Sequence, residues 1–586
     1  MKYLCTSVTD IDRDNLEGPK IGRRTTLKLM KTAGLGGVAT SLSGCMGGDG
    51  NQGNQSNQDT APFSEEMGGE ITAGLLTDGV TSLDPHRVGI SHQIKIMQNI
   101  FSGLVRMNQN TEIVGDLASD WSLPDSTTYV FNIVDDATFQ NGDPCDAEAI
   151  KWSLERLMAF EQSQHAGKVS GVSGIEVSGN ELTINLNEPE TSFISYLTTG
   201  PGRAGAIVHP SAEENRDQYN RMPIGSGPFR ITGRSSGESI TLQRFKNYWK
   251  NDEEGNQLPY LDQVNIRLIP EPSTMWTAVS SGDIDIASRI TGQFGRQARN
   301  VDSLEVESRS TGQWTMLRMM TNNPADNPEY AQAATRGTLN PVPDLGDDIP
   351  TADVRVRRAV SKALDREALS QKGFFDFAIT AHQLYNPVTF MYEENPDRGQ
   401  FYAPEEAKQL LDEAGYTGDP RFKAEMVTSP TYERVATAIK SQLSEVGIAV
   451  AINILQPSIY YSSDGVRGFD TLFGIGTGAS DIDPWMSHWR QLGHSNEVSG
   501  KGDETFGSEK YNLWHDEKFD DLIIEDSQTP DRERRKELLS QAMDIFIEQS
   551  PWAMAVFSAP PVVRNKNLKN VGTQVGLMTF SHASVS

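Results

Sequence analysis

The chain has 586 residues, 37% hydrophobic and 22% charged, a balance that supplies cores for a few structural units. Its 79 Asp and Glu outnumber 52 Lys and Arg, and the formal charge of -27 repels phosphate backbones, which argues against nucleic acid as a partner. Of the 3 Cys, Cys5 and Cys45 precede the body and Cys145 stands alone within it, which excludes a disulfide scaffold. The carboxylate excess suits a salt-adapted protein, and equally an acidic secreted one.

Gly22 to Gly48 read GRRTTLKLMKTAGLGGVATSLSGCMGG. Arg23-Arg24 with Leu27 and Lys28 resembles a twin-arginine export signal, with Thr26 where that pattern carries an apolar or aromatic residue. Leu29 to Leu42 is weakly apolar and broken by Gly34, Gly36 and Gly37. That is too short for a membrane span of ~20 apolar residues and suits the core of a cleavable signal. Leu42-Ser43-Gly44-Cys45 resembles a lipobox, which makes Cys45 the expected lipidation site. The competing reading is an amphipathic helix with a chance cysteine. The Gly/Asn/Gln/Ser tract over residues 46–62 reads as a flexible tether. The body is therefore expected outside the cytoplasmic membrane, held to it by lipid alone.

From about Phe63, strand and helix signals alternate, which predicts α/β architecture. Strands are expected at Glu70–Leu76 and Thr128–Val134, with hairpins over Val172–Leu186 and Phe229–Phe245. Val264–Ile269 reads as a strand, followed by a helix over PSTMWTAVSSG and a short strand at IDIA. Ile150, Leu154 and Leu157 share one helical face. Pro404 opens a helix that Gly415 follows. Val435, Ile439 and Leu443 stripe another, leading through Gly447 into IAVAINI, which reads as a buried strand. Asp531–Pro551 reads as a long amphipathic helix stopped by proline.

The segment Leu117–Leu157, LASDWSLPDSTTYVFNIVDDATFQNGDPCDAEAIKWSLERL, resembles the signature region of family 5 extracellular solute-binding proteins, the receptors of ABC importers for dipeptides, oligopeptides and nickel. Further segments match in order: SLDPH (Ser82–His86), PIGSGPF (Pro223–Phe229), NYW (Asn247–Trp249), VRVRRAVSKALDREAL (Val354–Leu369), YAPEEAKQLLDEAGY, and the closing DRERRKELL…SPWAM. The resemblance spans about Gly69 to the C-terminus. It implies two α/β lobes, one enlarged by an extra subdomain, that close on a solute. Mapped here, residues 63–100 belong to lobe I, 101–222 to the subdomain, 223–325 to lobe I and the hinge, 326–549 to lobe II, and 550–586 return to lobe I. Gln313–Asn323 and the segment after Pro551 are the expected hinges. Arg357, Arg358, Asp365 and Arg366 are read as makers of surface or interlobe ion pairs. Gly225 and Gly227 are read as a tight turn.

In peptide-binding members an aspartate in a W-x-G-D-x-x-D-P loop meets the ligand's amino end. This chain has GTGASDIDPW (Gly476–Trp485), where Ser480 takes the aspartate's place and Thr477 the tryptophan's, with Asp481 beside it. Thr477, Gly478, Ser480, Asp481 and Trp485 are expected to line the cleft, because loops beyond strand ends bind ligands in α/β folds. Asp84 and His86 are expected on the opposing lobe. Met426–Arg434 lacks a basic residue where dipeptide binders anchor the carboxylate, since Arg434 comes later, on the helix. These departures favour an oligopeptide or another polar solute over a free dipeptide. The resemblance further implies a monomer that docks on an ABC permease with separate ATPase subunits, and no cofactor.

Three rivals are set against this reading. GIGTGA (Gly474–Ala479) fits a dinucleotide fingerprint, but Pro484 interrupts the helix that should follow. A secreted lipoprotein hydrolase would need G-x-S-x-G or H-E-x-x-H, and neither occurs. A nickel receptor would have to take a chelate, because the nine histidines form no close-spaced ligand pair and no protein-made metal site is expected.

Overall fold

A computed structural model describes residues 67–77, 79–87, 91–108, 110–160, 163, 165–200, 204–322, 349–392, 394–395, 397–460, 471–477, 514–573 and 578–585. The expected signal and tether, with Arg23, Arg24 and Cys45, lie outside them. All the described residues belong to one compact unit, Ser64–Ser586.

Two large sheets organise that unit. The first runs in the order Leu304–Ser308, Pro561–Asn565, Ile286–Ser288, Glu70–Leu75, Gln263–Leu268, Ser239–Arg244, Phe229–Ser235. Glu70–Leu75 pairs in parallel with Gln263–Leu268 on one side and with Ile286–Ser288 on the other. Such strands need cover on both faces, and Ile71, Ala73, Leu75, Val264, Ile266 and Ile286 are all buried. The expected strands and hairpins from Glu70 to Ser288 appear within a residue or two of their predicted bounds.

The second sheet runs Ala378–Thr380, Trp552–Ser558, Trp314–Met319, Phe473–Thr477, Phe422–Thr428, Ile448–Ile454. Phe422–Thr428 is parallel to both of its neighbours. IAVAINI sits at the sheet's edge with Ala451, Asn453 and Ile454 exposed, so it is an edge strand and not the buried one expected. Its first half is apolar because it packs on the Glu433–Glu445 helix, whose Val435, Ile439 and Leu443 are buried as the stripe predicts. A four-stranded sheet (Ala118–Ser122, Thr128–Ile133, Glu181–Leu186, Val172–Ser178) buries Phe131 and Ile184 in one core with Ile150, Leu154 and Leu157 of the Ala147–Ala159 helix. Each such side chain contributes ~1.5–3 kcal/mol on burial.

Trp314–Met319 is buried at every residue and pairs on both edges, so it is a central strand of the second sheet. Trp552–Ser558 also belongs to that sheet, and the chain rejoins the first sheet at Pro561. The crossings are therefore residues 309–313 and 559–560. They are tied together: Thr311 N–H donates to Ser558 O at 2.9 Å, Ser558 N–H to Gln313 O at 2.7 Å, and Ser308 Oγ to Ala559 O at 2.6 Å.

Two arginines read as ion-pair makers act otherwise. Arg357 and Arg366 are buried and donate to carbonyls: Arg357 to Gln549 O and Ala352 O at 2.8 Å, Arg366 to Ala381 O at 2.8 Å and Leu364 O at 2.9 Å. Only Arg358, at 3.5 Å from Glu548, fits the expected surface pair. Gly225 and Gly227 are small because the backbone passes Ile100: a Cβ would meet Ile100 O at 2.1 Å from Gly225 and Ile100 C at 2.6 Å from Gly227.

Candidate functional site

The carboxyl ends of the parallel strands set the site. Leu75 and Ser288 are register partners at the ends of adjacent first-sheet strands. Beyond them lies a cavity of about 590 Å³. One wall is Leu75, Leu76 and residues 288–293 from the first sheet. The opposite wall is Phe374 and Phe375, which precede the Ala378–Thr380 strand, and Thr431, Tyr432 and Arg434, which follow the Phe422–Thr428 strand. The crossing segments contribute Gln313 and Pro560, and the strand end beside them contributes Ser558. A crevice outside strand carboxyl ends is where α/β sheets bind ligands, and this volume is in the ~300–1,000 Å³ range of small-molecule sites.

The two walls touch at one edge. The Gly292–Ala298 helix packs on residues 374–377: Arg296 pairs with Asp376 at 2.6 Å, and Arg299 lies 4.5 Å over the Phe377 ring. Gly292 permits the approach, since a Cβ there would meet Phe374 O at 2.6 Å. Phe375 and Asp376 hold left-handed φ values of 58° and 67° to present that turn.

The described cavity lining carries no Asp or Glu but holds Lys95, Arg289 and Arg434. In a chain with 79 acidic residues this is the opposite of the surrounding composition. Lys95 is buried in the Ser91–Met97 helix, its ammonium donating to Ser288 Oγ. Burial first, and the Arg289 guanidinium second, push it down to about 7. Arg289 follows the Ile286–Ser288 strand at φ 59° and donates to Gln313 Oε1 at 3.4 Å. Arg434 donates to Lys372 O at 3.0 Å and sits 4.4 Å over the Phe375 ring. Sequence reasoning passed over Lys95 and Arg289. The available signal was a lone cation inside the apolar run IKIMQNIF.

Asp84 and His86, expected on the first lobe's side of the cleft, do not line this cavity. Both are fully enclosed. Arg156 Nη2 donates to Asp84 at 2.7 Å, its Nη1 to His86 Nδ1 at 2.8 Å, and its Nε to Glu213 at 2.8 Å. Guanidinium can only donate, so Nδ1 accepts and the ring proton rests on Nε2, 3.3 Å from Ala206 O. Burial, then Arg156, hold His86 down at about 4, so it stays neutral. The SLDPH motif thus fastens the first sheet to the Ala147–Ala159 helix, because Arg156 is the one group that satisfies both of its polar side chains.

Thr477 ends the Phe473–Thr477 strand and is the register partner of Thr315, a cavity-lining residue. Gly478, Ser480, Asp481 and Trp485 lie outside the described residues. Gly474 of GIGTGA has a structural use: a Cβ there would press on the Arg318 guanidinium, so the strand is kept bare for that side chain. Cys145 is buried and its thiol is pushed up to about 12 by burial, which leaves it inert.

Two α/β halves that face each other across a cavity and are joined by short crossings define a two-lobed binding protein. Residues 112–498 match the family model of bacterial extracellular solute-binding proteins, family 5 (middle), and the chain belongs to that family. Its relatives include the glutathione-binding protein GsiB of Salmonella paratyphi A, 23% identical over 513 residues that cover 83% of this chain and 89% of GsiB. Among solved structures it resembles DppA of Helicobacter pylori in complex with the peptide STSA, with a TM-score of 0.66 and 22% identity over 89% of this chain and 98% of that one. It also resembles NikZ of Campylobacter jejuni in complex with Ni(L-His), with a TM-score of 0.65 and 20% identity over 88% and 96%. Family 5 proteins are extracellular or periplasmic receptors of ABC importers; they work with permease and ATPase components and are not enzymes. No described helix is long and apolar enough to cross a membrane.

Proposed function

We propose that the chain captures peptides, oligopeptides before free dipeptides, in the interlobe cavity and delivers them to a permease. The observation that carries this is the cavity of about 590 Å³ at the carboxyl ends of both sheets, walled by both halves and bordered by the Thr477 strand. Two features support the preference for longer ligands. Ser480 replaces the aspartate that would hold a ligand's amino end in peptide-binding members, which weakens a site relying on both termini of a short ligand. The strand end at Thr477 offers backbone groups that pair with an extended chain whatever its sequence. The relatives' ligands, peptide, glutathione and a nickel–histidine chelate, keep a chelate or another polar solute as the second reading.

In the same reading the protein is a monomer exported through the Arg23-Arg24 signal, lipidated at Cys45, and held by that lipid at the outer face of the cytoplasmic membrane. Its charge of -27 adapts it to concentrated salt. A Cys45→Ser chain should appear in the medium instead of the membrane fraction. For the ligand, the full chain is titrated by thermal shift with di- to pentaalanine, glutathione and nickel–histidine. A midpoint that rises with tri- to pentaalanine more than with dialanine supports the reading; a shift with nickel–histidine alone replaces it by the second.

A further inference from the structure

The chemistry of the cavity wall names a feature of the solute, provided the cavity is the capture site. Lys95 is 3% exposed, yet its ammonium has a single hydrogen-bond partner, the neutral Ser288 hydroxyl. Among the described residues no carboxylate stands within ion-pair distance of it. Glu307 shares a small recess behind Lys95 with Arg309 and Thr311, but the Glu307 carboxylate is taken by Arg564 at 3.0 Å and Thr573 at 3.0 Å. Within the cavity the other charged neighbours are Arg289 and, on the facing wall, Arg434; His92 precedes Lys95 by three residues on the same helix. Buried charges are ordinarily paired, because leaving one unpaired carries a large desolvation cost. Among the described residues, the Lys95 ammonium on the wall of this crevice, beside a guanidinium, has no opposite charge.

We propose that Lys95 and Arg289 form an anchor for a carboxylate of the bound solute, with Arg434 adding positive charge from the second half. The receptor then selects anionic solutes, and first-half residues, not the GTGASDIDPW loop, hold their acidic group. A carboxylate at that point accepts from both cations and supplies the missing counter-charge, as charge-assisted bonds do in other anion sites. The depressed affinity of Lys95 for its proton is the expected signature of the empty anchor, and a bound carboxylate restores it.

The test uses the full chain and a tryptic casein digest, offered as free acids and again after methyl esterification of its carboxyl groups. Wild type should retain members of the acid digest at least tenfold better than their esters, and Lys95→Met and Arg289→Gln should each lose at least tenfold of that retention while unfolding cooperatively. Equal retention of acids and esters, or acid retention unchanged in both variants, overturns the anchor and leaves the peptide reading standing. If wild type retains neither digest, the peptide reading fails, and succinate and nickel–histidine are titrated by thermal shift. A shift abolished in both variants then upholds the anchor without peptides; no shift with either solute overturns the anchor as well.

Discussion

Two clusters of charge, both in the first half of the molecule, follow opposite rules. Around Arg156 the buried charge is matched: one guanidinium serves Asp84, His86 and Glu213, Arg87 also pairs with Asp84 at 3.4 Å, and burial first, then Arg156, keeps the His86 ring neutral. Around Lys95 the cation is as deeply buried, but the described cavity lining offers no carboxylate to it. The first arrangement is complete in the empty protein and can only hold the fold. Under the proposed anchor, the second is complete only when something anionic arrives. Burial alone therefore does not separate a structural charge from a functional one; whether the protein supplies the counter-charge does.

That contrast can be broken at either end. The largest effect is expected from Arg156→Met, which leaves buried Asp84 with Arg87, at 3.4 Å, as its cationic partner and should cost about 3–5 kcal/mol of stability, read as a lower unfolding midpoint in denaturant, with solute affinity of the folded fraction unchanged. Lys95→Met should do the reverse: at pH 6 it should leave stability equal or raise it by up to about 1–4 kcal/mol, the range found when buried charged groups give way to apolar ones. A loss of stability as large as that of Arg156→Met would erase the distinction between the clusters.

Acidity sharpens the comparison further. Lys95 sits at about 7 in the empty protein, below its ordinary 10.5, and a bound carboxylate raises it. Affinity for a carboxylate solute is then full below about pH 7 and falls as pH climbs above it, by up to tenfold per unit, or ~1.4 kcal/mol. Isothermal titration at pH 8 in two buffers of different ionisation enthalpy should register proton uptake on binding. The smallest effect is expected at the edge where the walls touch. Arg296 and Asp376 are each about half exposed, so Arg296→Ala should change affinity by less than about 1 kcal/mol, measurable only as a modest rise in Kd.

How much of this was legible beforehand depended on the kind of interaction. The helical stripes at Ile150/Leu154/Leu157 and Val435/Ile439/Leu443, and the hairpins near Gly179 and Gly237, are local patterns, and they appear where periodicity placed them. QWTMLRMM is polar at one end and sulfur-rich, and only its pairing with Trp552–Ser558 and Phe473–Thr477, more than 150 residues away, makes it a central strand. Asp84 and His86 were read as cleft residues because a polar pair after a first strand suits either role. Their partner Arg156 lies 72 residues downstream, which no spacing rule anticipates. Lys95, Arg289 and Arg434 come together from three separate segments, so their shared chemistry exists only in the fold. Arg434 in particular is distant along the chain from the first-half cations and meets the same cavity through the parallel order of the second sheet.

The central claim, that the protein shuts on an anionic solute and returns it unaltered, is tested most directly by native mass spectrometry of the full chain after incubation with the free-acid digest. The account predicts one added mass per chain, belonging to an intact carboxylate-bearing peptide that is recovered unchanged on release. Chains that carry only esterified or cationic species, or peptides shortened during the incubation, would contradict it.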